Sequence, residues 1–140
     1  MSYLRLVKCK FKKSPGGSLF PYPYKNGELF GLHLGSFGDN EEALIARMKA
    51  EALFFNEQRR SLGIWMDFYQ TRISDRVIAG LIEFLQDTRP HVTRLGLVGC
   101  SFSDRRRINR RIQAAADLVG LPVRYFSDPE EAKTWLVSER

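Results

Sequence analysis

Gly99-Cys-Ser101-Phe-Ser103-Asp104-Arg105-Arg106-Arg107 is a polar turn that opens a helical pattern carrying five arginines through position 111. The amides of a helix N-terminus, two hydroxyls and adjacent guanidiniums can together hold a phosphate or a carboxylate. Gly99, Ser101, Ser103, Arg105, Arg106 and Arg107 are therefore the candidate residues of an anion site. The turn has neither the glycine spacing of a dinucleotide fingerprint nor the Gly-Lys-Ser/Thr ending of a phosphate loop, so what it offers is generic. Cations in a first turn oppose the helix dipole by about 0.3 kcal/mol or more each, which asks for a compensating anion or acidic partner. The competing reading is a solvated face, because Arg105, Arg106, Arg107, Arg110 and Arg111 all avoid the Ile108/Ile112 stripe.

Elsewhere the vocabulary of catalysis is thin. His33 falls on the alternate face of a strand pattern and His91 lies beside Pro90, neither with a neighbouring Cys or Ser to activate. Asp67 ends an apolar strand, where it reads as an acceptor for the following turn's amides or a partner of Arg72 rather than as a general base. Cys9 and Cys100 stand far apart without a CxxC or clustered His, so both read as small buried hydrophobes. No catalytic residue, no metal and no cofactor are expected. Tyr22 and Tyr24, beside a basic segment, could stack single-stranded bases, yet no RNA- or DNA-binding motif accompanies them.

The elements that must position these groups follow from periodicity. With 140 residues and 44% apolar content the chain suits one domain, 1–140, with a basic segment at 1–27 and a core at 28–138. The net charge of +6 is concentrated in that first segment, which has six basic groups and no acid, and in the arginine turn. Such blocks attract acidic proteins, phosphorylated ligands, nucleic acid or an anionic surface. Tyr3 to Phe11 has weak strand character, and Phe20-Pro-Tyr-Pro-Tyr24 reads as loop and edge strand. Asn26-Gly27 is a hairpin signal leading into a strand at Glu28 to Phe37.

Asp39-Asn40-Glu-Glu42 starts a helix over about 40–58 that buries Leu44, Ile45, Met48, Ala52 and Phe55. Ser61 to Tyr69 suits a central strand, and Ser74 or Asp75 caps a helix with Val77, Ile78, Leu81, Ile82 and Leu85 inward. Thr93 to Cys100 is the next strand. Asp104 is expected to cap a helix whose stripe runs Ile108, Ile112, Ala115, Ala116 and Val119 to Gly120. After a strand at Pro122 to Phe126, Asp128-Pro129-Glu-Glu131 opens a last helix that buries Ala132, Trp135 and Leu136. The order β-β-α-β-α-β-α-β-α predicts an α/β fold, an N-terminal antiparallel hairpin joined to a mainly parallel sheet with about four helices.

Three stretches then carry a family likeness: Gly63-Ile-Trp-Met-Asp67-Phe-Tyr with the helix Ile73-Ser74-Asp75 to Leu85; Leu95-Gly-Leu-Val-Gly99-Cys-Ser101; and Val123-Arg-Tyr-Phe126-Ser-Asp128-Pro-Glu-Glu131-Ala132-Lys-Thr-Trp135-Leu136. Together they resemble the SpoIIAA-like proteins of the STAS/SEC14-like group, small cytoplasmic bacterial domains. The resemblance implies a cytoplasmic, non-enzymatic module that docks onto a kinase or other protein. In such modules phosphorylation of a serine in an Asp-Ser pair switches docking off. Here Asp75 matches the aspartate and Arg76 takes the serine's place; Ser74 is adjacent.

Thr71, Arg72, Ser74, Asp75 and Arg76 are thus the candidate interaction surface. The expected partner is another protein, a second copy of the chain included, with a small anion at the 99–107 turn as the alternative and nucleic acid third. No stretch is long and apolar enough to be read as a membrane span, and the N-terminus has no signal-peptide pattern.

Overall fold

In the computed structural model, which describes residues 11–139, two antiparallel pairs precede four parallel strands. Strands β1 (Lys12–Lys13) and β2 (Leu19–Phe20) form a small pair of their own. Strand β3 (Tyr22–Tyr24) pairs antiparallel with β4 (Gly27–His33), Tyr24 opposite Gly27. Lys25 and Asn26 are therefore the two-residue loop, Lys25 taking φ 51°, one position earlier than the Asn-Gly signal. The hairpin and the edge role of the Pro-Tyr segment are as the sequence reads; the weak strand over Tyr3 to Phe11 and Cys9 lie, but for Phe11, outside the described residues.

From β4 the chain alternates strictly: α1 (Glu41–Gln58), β5 (Leu62–Asp67), α2 (Asp75–Thr88), β6 (Val92–Val98), α3 (Phe102–Ala114), β7 (Val123–Phe126) and α4 (Pro129–Val137). The five-stranded sheet runs β3-β4-β5-β6-β7, so neighbours in space are neighbours in sequence. Parallel neighbours need crossovers of one hand, which puts consecutive connecting helices on one face of the sheet. The core agrees: Phe30, Leu32, Ile64, Met66, Leu95 and Leu97 meet α1, α2 and α3 through Met48, Phe55, Ile78, Leu81 and Ile108. Phe30 stacks on Phe55 at 5.6 Å and 7° within it.

The opposite face is covered differently. Among the described residues α4, nine residues long, is the helix that packs there, with Ala132 and Leu136 against Leu29, Trp65 and Val98. It reaches the sheet over glycines, since a Cβ at Gly63 would stand 2.9 Å from Leu136 and one at Gly96 3.5 Å from Ala132. Arg94, buried on this face, donates to Trp135 O and to Ser138 Oγ at 3.0 Å, closing the end of α4. Trp135 itself is half-buried, with the Arg94 and Arg124 guanidiniums 5.2 and 5.5 Å from its ring.

Two local expectations are corrected. The N-cap of α3 is Ser101, whose Oγ accepts from Asp104 N at 3.1 Å, and not Asp104. Helix α3 also ends at Ala114; Ala115 turns to φ −96°, ψ 109° and a single 3-10 turn follows over Ala116–Leu118. The helical phase is lost there, so Leu118 is buried while Val119 is 71% exposed.

Candidate functional site

The arginine turn sits at the carboxyl ends of β5 and β6, where parallel sheets present their loops. Gly99 takes φ 85°, a conformation open to glycine, with the β5–α2 loop against it: a Cβ would stand 3.2 Å from Tyr69 N. Ser101 then caps α3. Arg107, in the second turn, reaches across to α2: its Nη1 donates to Ile73 O at 2.8 Å and Asp104 Oδ1 at 2.9 Å, and its Nη2 to Asp75 Oδ1 at 2.8 Å. The guanidinium so placed lowers the Asp75 carboxyl below the usual range, and the Asp75 carboxylate in turn raises the Arg107 guanidinium. Arg105 donates Nε–H to Cys100 O at 3.1 Å and lies 5.6 Å from the rings of Phe102 and Tyr125. Both residues are thereby committed to internal acceptors, which is how a helix tolerates cations in its first turns.

Arg106 and Arg110 differ: both are exposed and make no ion pair among the described residues. They border a shallow depression with Phe102 and Ser103. Phe102 is 82% exposed, the most exposed of the large apolar residues among those described.

The 71–76 residues lie beside them, and most are engaged. Thr71 Oγ1 donates to Leu34 O at 2.7 Å and accepts from Phe37 N at 3.1 Å, tying the β4 and β5 loops together. Ser74 Oγ accepts from Val77 N at 3.3 Å and donates to Glu41 Oε1 at 2.8 Å. Its hydroxyl serves as a cap with both functions in use, and Arg76, at the position after Asp75, pairs with Glu42 at 3.0 Å. The Arg72 side chain is exposed and makes no ion pair among the described residues. Tyr69, four residues after Trp65, is 59% exposed on the same rim.

Asp67 Oδ1 accepts from Tyr69 N at 3.0 Å, the turn-capping role expected of it. His91 packs edge-on to Phe55 at 6.4 Å and His33 edge-on to Trp65 at 5.3 Å. Burial pushes the free thiol of Cys100 up to about 12 and the Tyr125 phenol likewise up to about 12, so neither ionises near neutrality. Among the described residues no three His, Cys, Asp or Glu side chains gather as metal ligands, and no helix is long and apolar enough to cross a membrane.

A second concave site was not legible in the sequence. On the α4 face, Gly17, Ser18, Leu19, Tyr22, Gly31, His33, Trp65 and Lys133 line a cavity of about 210 Å³. Register builds it: Trp65 of β5 stands between Gly31 of β4 and Gly96 of β6. With no side chain on Gly31, the indole leans over it, and a Cβ there would stand 2.7 Å from Trp65 Nε1. Lys133 of α4 places its ammonium 5.3 Å from the centroids of Tyr22 and Trp65 and 5.7 Å from that of Tyr24. Tyr24 OH donates to Glu130 Oε1 at 2.9 Å, so this tyrosine is tied to α4 rather than displayed as a base-stacking platform.

The cavity's outer wall is the 14–18 loop, held from the far side of the sheet's edge by Glu51 of α1. Glu51 is 1% exposed; its Oε2 accepts from Gly16 N at 2.9 Å and Ser14 Oγ at 3.3 Å, while Oε1 is buried without a partner among the described residues. Burial raises this carboxyl above its ordinary value despite those bonds and Arg47. Ser18 Oγ completes the anchor by donating to Gly31 O at 2.6 Å. No protein-family model, curated protein or solved structure gives a significant match to this chain.

Proposed function

We propose that this chain is a non-enzymatic regulatory or scaffolding module, of the SpoIIAA-like kind its motifs resemble, that docks an acidic surface of another protein. The docking face is the rim at the carboxyl ends of β5 and β6. What supports it is a single arrangement: Tyr69 and Phe102, 59% and 82% exposed, share that rim with Arg72, Arg106 and Arg110, whose charges have no ion-pair partner among the described residues. Aromatic and arginine side chains in one exposed patch are the composition of protein-binding hot spots, and the cations select for acid. The phospho-switch of the resembled family is not part of the proposal, since Arg76 stands in the acceptor's place and Ser74 is engaged as a cap.

The test is quantitative affinity capture from cell extract with the wild-type chain and with a Phe102→Ala/Arg106→Glu double variant, each checked by circular dichroism. Proteins enriched by the wild type and lost by the variant are the expected result. Recovery of the same proteins by both, or of none by the wild type, overturns the reading. A small-anion role for the turn is separated by thermal shift with phosphate and nucleotides, which on the docking reading leaves the midpoint unchanged.

A further inference from the structure

We infer that the cavity under Lys133 is a binding site for a small planar carboxylate, a ligand of the benzoate class. The Lys133 side chain is only 14% exposed, yet of its three N–H groups one reaches Glu130 Oε2 at 3.3 Å and the protein supplies no second oxygen among the described residues. The rings of Tyr22, Tyr24 and Trp65 stand around the ammonium at 5.3, 5.7 and 5.3 Å. The indole Nε1–H of Trp65, a residue 6% exposed, also has no acceptor among the described residues, while the exposed His33 packs edge-on to that indole. Lys133 and Trp65 line the same cavity, and the polar groups they bring to it, an ammonium and an indole N–H, are donors, the complement of an oxyanion.

The walls choose among oxyanions. Tyr22, Trp65 and Leu19 supply flat apolar surface that a phosphate cannot use and an aromatic or conjugated ring can. Glu130 stays within 3.3 Å of the same ammonium, so a dianion meets a carboxylate where a monoanion shares the cation. A cavity of about 210 Å³ takes a ligand of roughly ten non-hydrogen atoms. The ring would lie against Trp65 and Tyr22 with its carboxylate toward Lys133 and the indole N–H. This site is on the α4 face and independent of the docking rim.

Amide spectra of the full ¹⁵N-labelled chain provide the readout, because it has 2 tryptophans and a Trp135→Phe variant assigns the Trp65 indole cross-peak. Sodium benzoate is expected to move that peak saturably, with a Kd below about 1 mM. Benzamide, the same shape without the charge, is expected to bind at least about tenfold more weakly. Lys133→Met, which keeps the stem and removes the cation, is expected to weaken benzoate by at least about tenfold while the rest of the spectrum is retained. The inference is overturned by an indole peak that does not saturate up to on the order of 10 mM benzoate. It is equally overturned by benzamide matching benzoate, or by inorganic phosphate moving the peak as effectively as benzoate. The comparison of benzoate with benzamide needs no substitution, so it decides the matter even if Lys133→Met fails to fold.

Discussion

At the carboxyl edge of the sheet Arg107 has two carboxylates and a carbonyl within 2.9 Å, while on the α4 face Lys133 has one carboxylate at 3.3 Å and three aromatic rings. The first cation comes from a run of arginines that stands out in the sequence; the second is a solitary lysine in an acidic helix. In the run, two of the three adjacent guanidiniums fasten α3 to its surroundings, while the exposed Arg106, Arg110 and Arg111 make no ion pair among the described residues. The solitary lysine has been placed over rings contributed by β3 and β5, where the chain provides few competing acceptors. A cluster of like residues in sequence thus became partly internal structure, and the site on the α4 face was assembled from residues far apart.

The largest effect that can break this contrast is expected at Gly31. A methyl group there would stand 2.7 Å from Trp65 Nε1 and 2.8 Å from Cε2, so the indole must leave its position. Gly31→Ala is expected to cost about 1–3 kcal/mol by chemical denaturation, and to shift Trp65 fluorescence. A variant as stable as wild type with unchanged emission would show that the indole is not seated over Gly31, and the cavity with it would be lost as a site.

Next comes Glu51, which connects α1 to the loop that walls the cavity. Its carboxyl ionises at higher pH in the folded chain than the value of about 4.3 it has when unfolded. Below that value both states hold the proton and nothing is lost; as pH rises toward the raised folded value, the unfolded chain releases the proton first and stability declines. Relative to Glu51→Gln, whose side chain does not titrate, the wild type is expected to lose stability between acid and neutral pH. Parallel stability profiles for the two chains would contradict the burial of this group.

These two residues also mark the limit of what the sequence discloses. Caps and stripes were readable because they are local: Ser74, Asn40 and Asp128 before Pro129 each have their hydrogen-bond partner two or three residues ahead. The same locality explains the misassigned cap of α3, where Ser101 and Asp104 belong to one turn and either could have begun it. The alternation of strands and helices determines the order of the sheet once each crossover keeps the same hand. Glu51 is different, because its position in the helical pattern cannot say that Ser14 and Gly16 will cover it. The lean of Trp65 depends on Gly31, and that pairing exists only in the register of β4 with β5.

A smaller effect separates the arginines of the rim. Arg107→Met is expected to destabilise by about 1 kcal/mol, chiefly through the unsatisfied Ile73 carbonyl, since exposed ion pairs contribute little. Arg106→Met is expected to stay within about 0.5 kcal/mol of wild type while weakening capture of the acidic partner. Equal costs for the two would erase the distinction between fastening and displayed arginines.

The smallest change in stability is expected where the proposed loss of function is largest. Lys133 contributes cation–π contacts to three rings, and its replacement by methionine returns much of that contact as apolar burial against the same surfaces. Lys133→Met is therefore expected to unfold within about 0.5 kcal/mol of wild type, because a partly buried ammonium with two N–H groups lacking an oxygen is itself poorly solvated. If the variant instead loses as much as Gly31→Ala, the ammonium is a structural pin of α4 like Arg107 in α3. The contrast between the two faces would then dissolve, with both cations serving the fold.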